Sequence, residues 1–213
     1  TFVLDSAATA GTPSCSAPQT GTVIITVLPL PTVSISQNQT ICPGGTATVV
    51  FTGTPGAIVA YTVNGQTQSI TLNASGTATL TQAFTQTTVF LLQTITTAGS
   101  PSCTAPASGA VTITIPPPPT VVVNGPQGLC PGQSGIITFT GTAGAIVTYT
   151  VNGGAAQTIV LDASGNASVS QSFSAETTYT IVQVTSPGTP ACVVPGNSSH
   201  TVTVLPLPTA SVS

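Results

Sequence analysis

Apolar and polar residues alternate in short runs along the chain, and turn-forming residues separate the runs. Alternation with a period of two is typical of strands with one buried face, and no segment shows helical periodicity with caps. Between residues 30 and 116 the runs predict seven strands, which we label A to G: Thr32–Ser36, Thr46–Thr52, Ile58–Val63, Ser69–Leu72, Thr77–Thr81, Val89–Thr96 and Ala110–Ile115. The pattern therefore predicts an all-β fold.

One stretch of this pattern occurs twice. Residues 53–65 and residues 141–153 differ at only two positions and lie 88 residues apart. Each copy covers strand C and ends in Asn-Gly, the strongest short-range hairpin signal. Self-similarity at this period indicates an array of equal domains. Seven short strands in each repeat predict tandem immunoglobulin-like β-sandwiches.

The repeat register divides the chain into four parts. Residues 1–28 match the end of a repeat and are expected to form strands F and G of a truncated copy. Residues 30–116 and residues 117–206 are complete repeats, and residues 207–213 match the first strand of a further one. We expect the chain to be a window on a longer array, with further copies of the repeat as its partners.

Proline-rich segments connect the predicted domains. They read Leu-Pro-Leu-Pro at residues 28–31 and 205–208, and four consecutive prolines at residues 116–119. Such sequences favour extended polyproline II, which acts as a stiff spacer. Sandwiches joined end to end by short stiff linkers form a rod.

The charge composition excludes several kinds of partner. The chain has no Lys or Arg, three acidic residues and one His. It therefore lacks the positive charge that nucleic acids and anionic lipids attract. No apolar run reaches the roughly 18 residues of a membrane span, so we expect no membrane insertion. Neutral chains repel one another weakly, which favours lateral self-association into fibres.

The few ionisable side chains do not form a catalytic set. His200 could serve as a base, but its counterparts in the other copies are Val111 and Val23. Asp162 corresponds to Asn73, and a turn-forming role explains both residues. Scattered acids cannot surround a calcium ion, which needs several carboxylates in one loop. We expect no enzyme activity, no cofactor and no metal.

Five cysteines are candidates for disulfide bonds. Cys42 and Cys130 precede strand B of the two complete repeats, and Cys103, Cys192 and Cys15 lie between strands F and G. Paired cysteines in a small β domain indicate an oxidising, extracytoplasmic compartment.

The cysteine spacing leaves two pairings open. The simpler one joins Cys42 to Cys103 and Cys130 to Cys192, inside each repeat. However, the A–B and F–G turns of a sandwich lie at opposite ends, separated by a strand of roughly 23 Å. A disulfide requires a Cα separation of roughly 6 Å. The second pairing joins Cys42 to Cys192 across the boundary between repeats.

Several motifs support a family resemblance. They are Thr40–Gly44 (TICPG), the stretch at residues 53–65, Leu72–Gly76 (LNASG) and Ser102-Cys103. Together they resemble the immunoglobulin-like repeats of giant surface adhesins of gliding Bacteroidota, which are exported by type IX secretion. The resemblance implies an extracellular location and a link to gliding motility. It also implies O-glycans at Asp-Ser/Thr followed by an apolar residue, a pattern that makes Ser6 a candidate site.

These observations predict a structural protein, the non-enzymatic shaft of an extracellular adhesin or surface filament. The alternative is an adhesion module that binds a glycan or another cell. A binding module concentrates its differences between repeats in one set of loops. Here the differences spread over the D hairpin and the F–G loop, which favours the shaft.

Overall fold

A computed structural model describes residues 1–209 of the chain as an all-β protein with twenty strands. No helix occurs among these residues. The strand predicted at residues 207–213 lies mostly outside the described residues.

The first two strands form a separate antiparallel hairpin. They are β1 (Phe2–Ala8) and β2 (Ser16–Val23), and every side chain of both is exposed. These are the strands that the sequence assigns to F and G of a truncated repeat.

The next nine strands form a first unit of two sheets. The strands are β3 (Val33–Ile35), β4 (Gln39–Thr40), β5 (Thr46–Gly53), β6 (Ile58–Val63), β7 (Gln66–Thr71), β8 (Thr77–Ala83), β9 (Thr88–Thr96), β10 (Thr104–Pro106) and β11 (Ala110–Thr114). One sheet has the order β3-β5-β8. The other has the order β4-β11-β9-β6-β7, with β10 also paired to β9. Seven of the nine segments correspond to the seven predicted strands, and β4 and β10 are additional. The predicted strand A corresponds to β3, whereas β4 follows it in the other sheet, where it runs parallel to β11.

The last nine strands form a second unit with the same strand order. They are β12 (Val121–Asn124), β13 (Gly128–Leu129), β14 (Gln133–Gly141), β15 (Ile146–Val151), β16 (Gln157–Val160), β17 (Asn166–Phe173), β18 (Thr177–Thr185), β19 (Val193–Pro195) and β20 (Ser199–Val204). The sheets are β12-β14-β17 and β13-β20-β18-β15-β16, with β19 on β18. The irregularity in strand pairing also recurs, at Ala60/Tyr61 and Thr148/Tyr149.

Each unit has its own hydrophobic core, to which both of its sheets contribute. In the first unit the rings of Phe51 on β5 and Tyr61 on β6 lie 4.9 Å apart. In the second unit Phe139 and Tyr149 repeat this contact at 4.9 Å. Aromatic pairs at this separation add to the stabilisation that burial provides. The two sheets of a unit therefore pack face to face as a sandwich.

Glycine is required where two backbone segments meet at the edge of this sandwich. The amide of Gly53 donates to the carbonyl of Gly76, at 2.8 Å. A Cβ on Gly53 would collide with the carbonyl oxygen of Thr32, and one on Gly76 would collide with that of Gly53. Gly76 also has a φ of 73°, in the region that favours glycine.

Candidate functional site at the junction of the two units

A tight turn between β4 and β5 presents Cys42. The turn reads Cys-Pro-Gly, and Gly44 has a φ of 78°, which glycine adopts without strain. The amide of Gly44 donates to the carbonyl of Phe84 at 2.8 Å, and the amide of Gly45 donates to that of Cys42 at 2.8 Å. We call this segment the Cys-Pro-Gly turn; its hydrogen bonds hold the cysteine at one end of the first unit.

A short loop between β18 and β19 presents Cys192. The amide of Ser186 donates to the carbonyl of Cys192 at 2.8 Å. The amide of Cys192 in turn donates to Oγ of Ser186, also at 2.8 Å. We call residues 186–192 the Pro-x-Cys loop of the second unit, after Pro190-Ala191-Cys192. Its two closing hydrogen bonds fix the cysteine at the end of the second unit that faces the first.

A disulfide joins these two cysteines across the boundary between the units. The Cα atoms of Cys42 and Cys192 lie 5.4 Å apart although 150 residues separate them in sequence. Of the two pairings that the sequence leaves open, the structure contains the one between repeats. Cys103 and Cys130, the other members of the intra-repeat pairs, are free thiols, as is Cys15.

The disulfide borders a cleft of about 550 Å³ between the units. The first unit contributes Thr85–Thr87, the connecting segment contributes Pro116–Pro118, and the second unit contributes Val193 and Val194. Neither a charged side chain nor a histidine lines the cleft. Its walls offer apolar contact and the hydroxyl and amide groups of Thr85–Thr87, and the two adjacent sulfur atoms are bonded to each other in the disulfide.

His200 has a structural contact of its own in the second unit. Its Nε2 lies 3.1 Å from the carbonyl oxygen of Pro126. A carbonyl oxygen only accepts, so Nε2 carries the hydrogen in this contact. The side chain is half-buried on β20 beside Gly125. His200 thus ties β20 to the segment between β12 and β13.

Asp162 and its counterpart Asn73 perform the same task in two turns. Oδ1 of Asp162 accepts hydrogen bonds from the amides of Ser164 at 2.8 Å and Asn166 at 2.9 Å. Oδ1 of Asn73 accepts from the amides of Ser75 and Thr77, both at 2.9 Å. The turn needs only an acceptor oxygen at this position, which explains why the first unit has an amide side chain there and the second a carboxylate.

The remaining candidate residues lie apart from the junction. Asp5 and Ser6 are exposed on β1, far along the chain from Glu176 in the turn before β18. Within residues 1–209, no three His, Cys, Asp or Glu side chains lie close enough together to hold a metal ion. Over the same range no helix is long and apolar enough to cross a membrane.

The sequence-based predictions did not include the hydroxyl groups that orient Cys15, Cys103 and Cys192, each of which ends a Pro-x-Cys sequence. Thr9, Thr97 and Ser186 each accept a hydrogen bond from the amide of the cysteine six residues further on. A Ser or Thr six residues before each of the three cysteines is visible in the sequence. That spacing is the signal that identifies the loop.

No protein-family model matches the sequence, and no curated protein matches it. Among solved structures, the chain is similar to a crystal structure of a mutant Salmonella alpha-2-macroglobulin. The TM-score is 0.40 and the identity 12%, over 81% of this chain and 16% of the macroglobulin. The chain thus spans a small part of that protein, and a likeness of this strength identifies neither family nor function.

Proposed function

We propose that this chain is a structural, non-enzymatic shaft segment of an extracellular adhesin or surface filament. In this proposal its units are tandem immunoglobulin-like sandwiches, joined end to end by proline-rich linkers. The observation that carries the proposal is the disulfide between Cys42 and Cys192, because it connects two units and lies beside the linker.

Two covalent connections cross the same boundary. One is the segment Pro116–Pro119, whose prolines restrict backbone rotation, and the other is the disulfide. Pro119 is buried, as is its counterpart Pro31, and each of the two stands just before the first strand of a unit. A single linker leaves the angle between two domains free, whereas two connections at separate points restrict it. A restricted angle is what a stiff shaft needs.

The proposal also includes an extracellular location and a relation to the gliding-adhesin repeats. A disulfide and the lack of basic residues suit an extracellular protein exposed to oxidants and to trypsin-like proteases. The motifs of residues 40–44, 53–65 and 72–76 support a relation to the repeats of gliding adhesins. On that relation, Ser6 is a candidate for O-glycosylation, and its exposure on β1 is compatible with attachment.

The surface of the units suits lateral association of shafts. Hydroxyl pairs replace ion pairs between exposed strands, for example Thr48 with Thr81 and Thr178 with Thr201, each at 2.9 Å. Exposed apolar side chains also stand on β6 and β9, among them Ile58 and Leu91. Such a face carries no charge to repel a second shaft, so we expect bundles at high protein concentration.

Single-molecule extension between the two termini tests the load-bearing role. In the oxidised chain the force passes from Cys42 to Cys192 through the disulfide and bypasses the intervening chain, a sequence separation of 150. We expect a reduced chain to unfold to a length that is greater by about 500 Å, at 3.3–3.6 Å per residue. The double variant Cys42→Ser/Cys192→Ser should match the reduced chain without any reductant.

The variant Cys103→Ser is the matched control, because it removes a free thiol and should leave the extension unchanged. An oxidised wild-type chain that extends as far as the reduced one would contradict the shaft proposal. Specific binding of the intact chain to a glycan array would instead favour the adhesion module.

A further inference from the structure

Both sheets of the first unit end on the same side, one at β7 and the other at β8. Strand β7 pairs only with β6 and β8 only with β5, so the outer edge of each is free of any strand among residues 1–209. The two pairings run without a bulge over six and seven consecutive residue pairs. We call the outer edges of β7 and β8 together the open side of the first unit.

The backbone of β7 directs every second residue away from β6. The amide of Leu72 donates to the carbonyl of Ala57 at 2.8 Å, which continues the ladder between the two strands. Bonded and non-bonded residue pairs alternate along an antiparallel ladder. The amides and carbonyls of Thr67, Ser69 and Thr71 therefore point away from β6, and all three residues are exposed.

Strand β8 presents its outer edge in the same way. The amide of Phe84 donates to the carbonyl of Gly45 at 3.0 Å, so the even-numbered residues of β8 face β5. The exposed residues whose backbone groups face away from β5 are Thr79, Thr81 and Ala83. Each sheet thus ends in three residues that can accept a further strand.

A cleft of about 310 Å³ lies between these two edges. Its lining residues are Tyr61, Val63, Gln68, Leu80 and Gln82. Val63 and Leu80 pack against the core but are only half-buried, so the core is incompletely covered on the open side. Because Gln68 of β7 shares the cleft with Leu80 and Gln82 of β8, the middle of one edge strand lies level with the middle of the other.

The open side lacks the devices that prevent sheet edges from pairing with another chain. Such devices are charged side chains, prolines, bulges and very short strands. Strands β7 and β8 contain neither a charged residue nor a proline. By contrast, β10 contains Pro106 and β3 has only three residues.

We propose that the open side binds the open side of a second copy of the chain, strand to strand. In this contact β7 of one copy pairs antiparallel with β7 of the other, and β8 pairs with β8. The inference deepens the proposed shaft function and rests on it, because it identifies the surface through which shafts associate laterally.

The outward backbone groups fit a two-fold axis between the copies. When two β7 strands pair antiparallel, Ser69 lies opposite Ser69 of the second copy, and Thr67 lies opposite Thr71. Each of these residues then donates from its amide and accepts at its carbonyl. Thr81 occupies the corresponding central position on β8. Contacts between like surfaces of two copies are self-complementary in this way.

The composition of the open side favours a second copy as the occupant. A charged partner strand gains no ion pair here, because neither the edges nor the cleft carries a charge. A second copy is neutral at the same positions, and its own half-buried apolar residues cover the cleft. In the second unit β16 and β17 end the two sheets in the same order. Weak contacts that recur along a shaft strengthen one another.

Sedimentation equilibrium of the full chain, with its free thiols alkylated, tests the pairing at Ser69. We expect the wild-type chain to form reversible dimers as the protein concentration rises. Ser69→Lys places like charges opposite each other and should raise the dissociation constant at least about tenfold at low salt. Ser69→Asp alone should do the same. An equimolar mixture of the two variants should restore association, because opposite charges then face each other.

Two further variants separate edge pairing from other contacts. Ser69→Pro removes an amide that faces away from β6, so it should weaken association at any salt concentration without breaking the ladder to β6. Leu91→Lys is the matched control, because it places the same charge on the exposed face of the same sheet, two strands from the edge. It should associate as the wild-type chain does.

Four outcomes would overturn the inference. They are a wild-type chain that stays monomeric at every concentration, a Ser69→Lys chain that associates as the wild type does, a mixture that does not restore association, and equal weakening by Leu91→Lys. Circular dichroism of each variant excludes misfolding as the cause. The extension experiment follows single molecules and depends only on the disulfide, so failure here is distinguishable from failure of the shaft proposal.

Discussion

The aromatic cores of the two units differ by one hydroxyl group. Tyr179 on β18 occupies the position that Phe90 occupies on β9. Its Oη is buried and has no hydrogen-bond partner within the described residues. Burial raises the pKa of Tyr179, and the neighbouring Tyr149 raises it further. The second unit therefore carries a desolvated polar group that the first unit avoids.

We expect Tyr179→Phe to stabilise the second unit. A buried hydroxyl without a partner costs about 1–3 kcal/mol, and Phe removes that cost without changing the shape of the core. Thermal unfolding should show a gain of about 1 kcal/mol. Tyr149→Phe is the matched control, because it removes a hydrogen bond to Gln157 of 3.1 Å and should bring no gain. A fall in stability of Tyr179→Phe would show that the hydroxyl is satisfied.

The hairpin between β6 and β7 depends on the side chain of Asn64 as well as on its backbone. Asn64 has a φ of 48°, which Asn tolerates better than most residues. Its side-chain Oδ1 accepts a hydrogen bond from the backbone amide of Val89 at 2.8 Å, and its backbone amide donates to the carbonyl of Val89 at 2.9 Å. The hairpin is thereby bonded to the start of β9. Asn152 forms the same pair of bonds with Thr178.

Asn64→Ala should destabilise the first unit by about 2 kcal/mol. Alanine is strained at this φ by about 1–2 kcal/mol, and it leaves the amide of Val89 without its acceptor. Asn64→Asp retains an acceptor oxygen and should cost much less. Urea unfolding of both variants measures the difference. Equal losses for the Ala and Asp variants would contradict the role assigned to Oδ1.

Alternation of apolar and polar residues predicts the strands correctly where the runs are long, and it misses strands that are very short. It predicts strand C at Ile58–Val63, and β6 has these bounds. Alternation does not predict β4 or β10, because segments of two and three residues are too short to show a period. Pro106, which has no amide hydrogen to donate, further hides β10.

Sheet membership and disulfide pairing required the three-dimensional arrangement. The Asn-Gly hairpin signal predicts that β7 pairs with β6, but nothing in the local pattern tells whether that hairpin joins the sheet of β9 or that of β5. The cysteines were all visible, but their pairing depends on which ends of neighbouring units meet. Local spacing carries no information on that arrangement, and so two pairings stayed open until the structure placed Cys42 beside Cys192.

Three buried tyrosines govern how the molecule responds to alkali. Desolvation raises the pKa of Tyr61, Tyr149 and Tyr179, so the folded state holds their phenol protons more tightly than the unfolded state does. The unfolded chain releases these protons near pH 10. The stability they provide is therefore complete below about pH 10, and it declines as the pH rises toward the folded pKa values.

We expect the free energy of unfolding to fall steadily above about pH 10. Reversible urea unfolding at a series of pH values, with the free thiols alkylated, measures this fall. The triple variant Tyr61→Phe/Tyr149→Phe/Tyr179→Phe should show a much weaker dependence on pH in the same range. An unchanged slope in the triple variant would assign the effect to other groups.

The disulfide also closes most of the chain into a covalent ring. Cys42 and Cys192 stand 150 residues apart, and most of both cores lies within that interval. A single peptide-bond break anywhere inside the ring leaves its two fragments joined, because each still ends in one half of the disulfide. The molecule thus survives one nick between Cys42 and Cys192 without being severed. Only a second cut, or a reductant, parts the molecule.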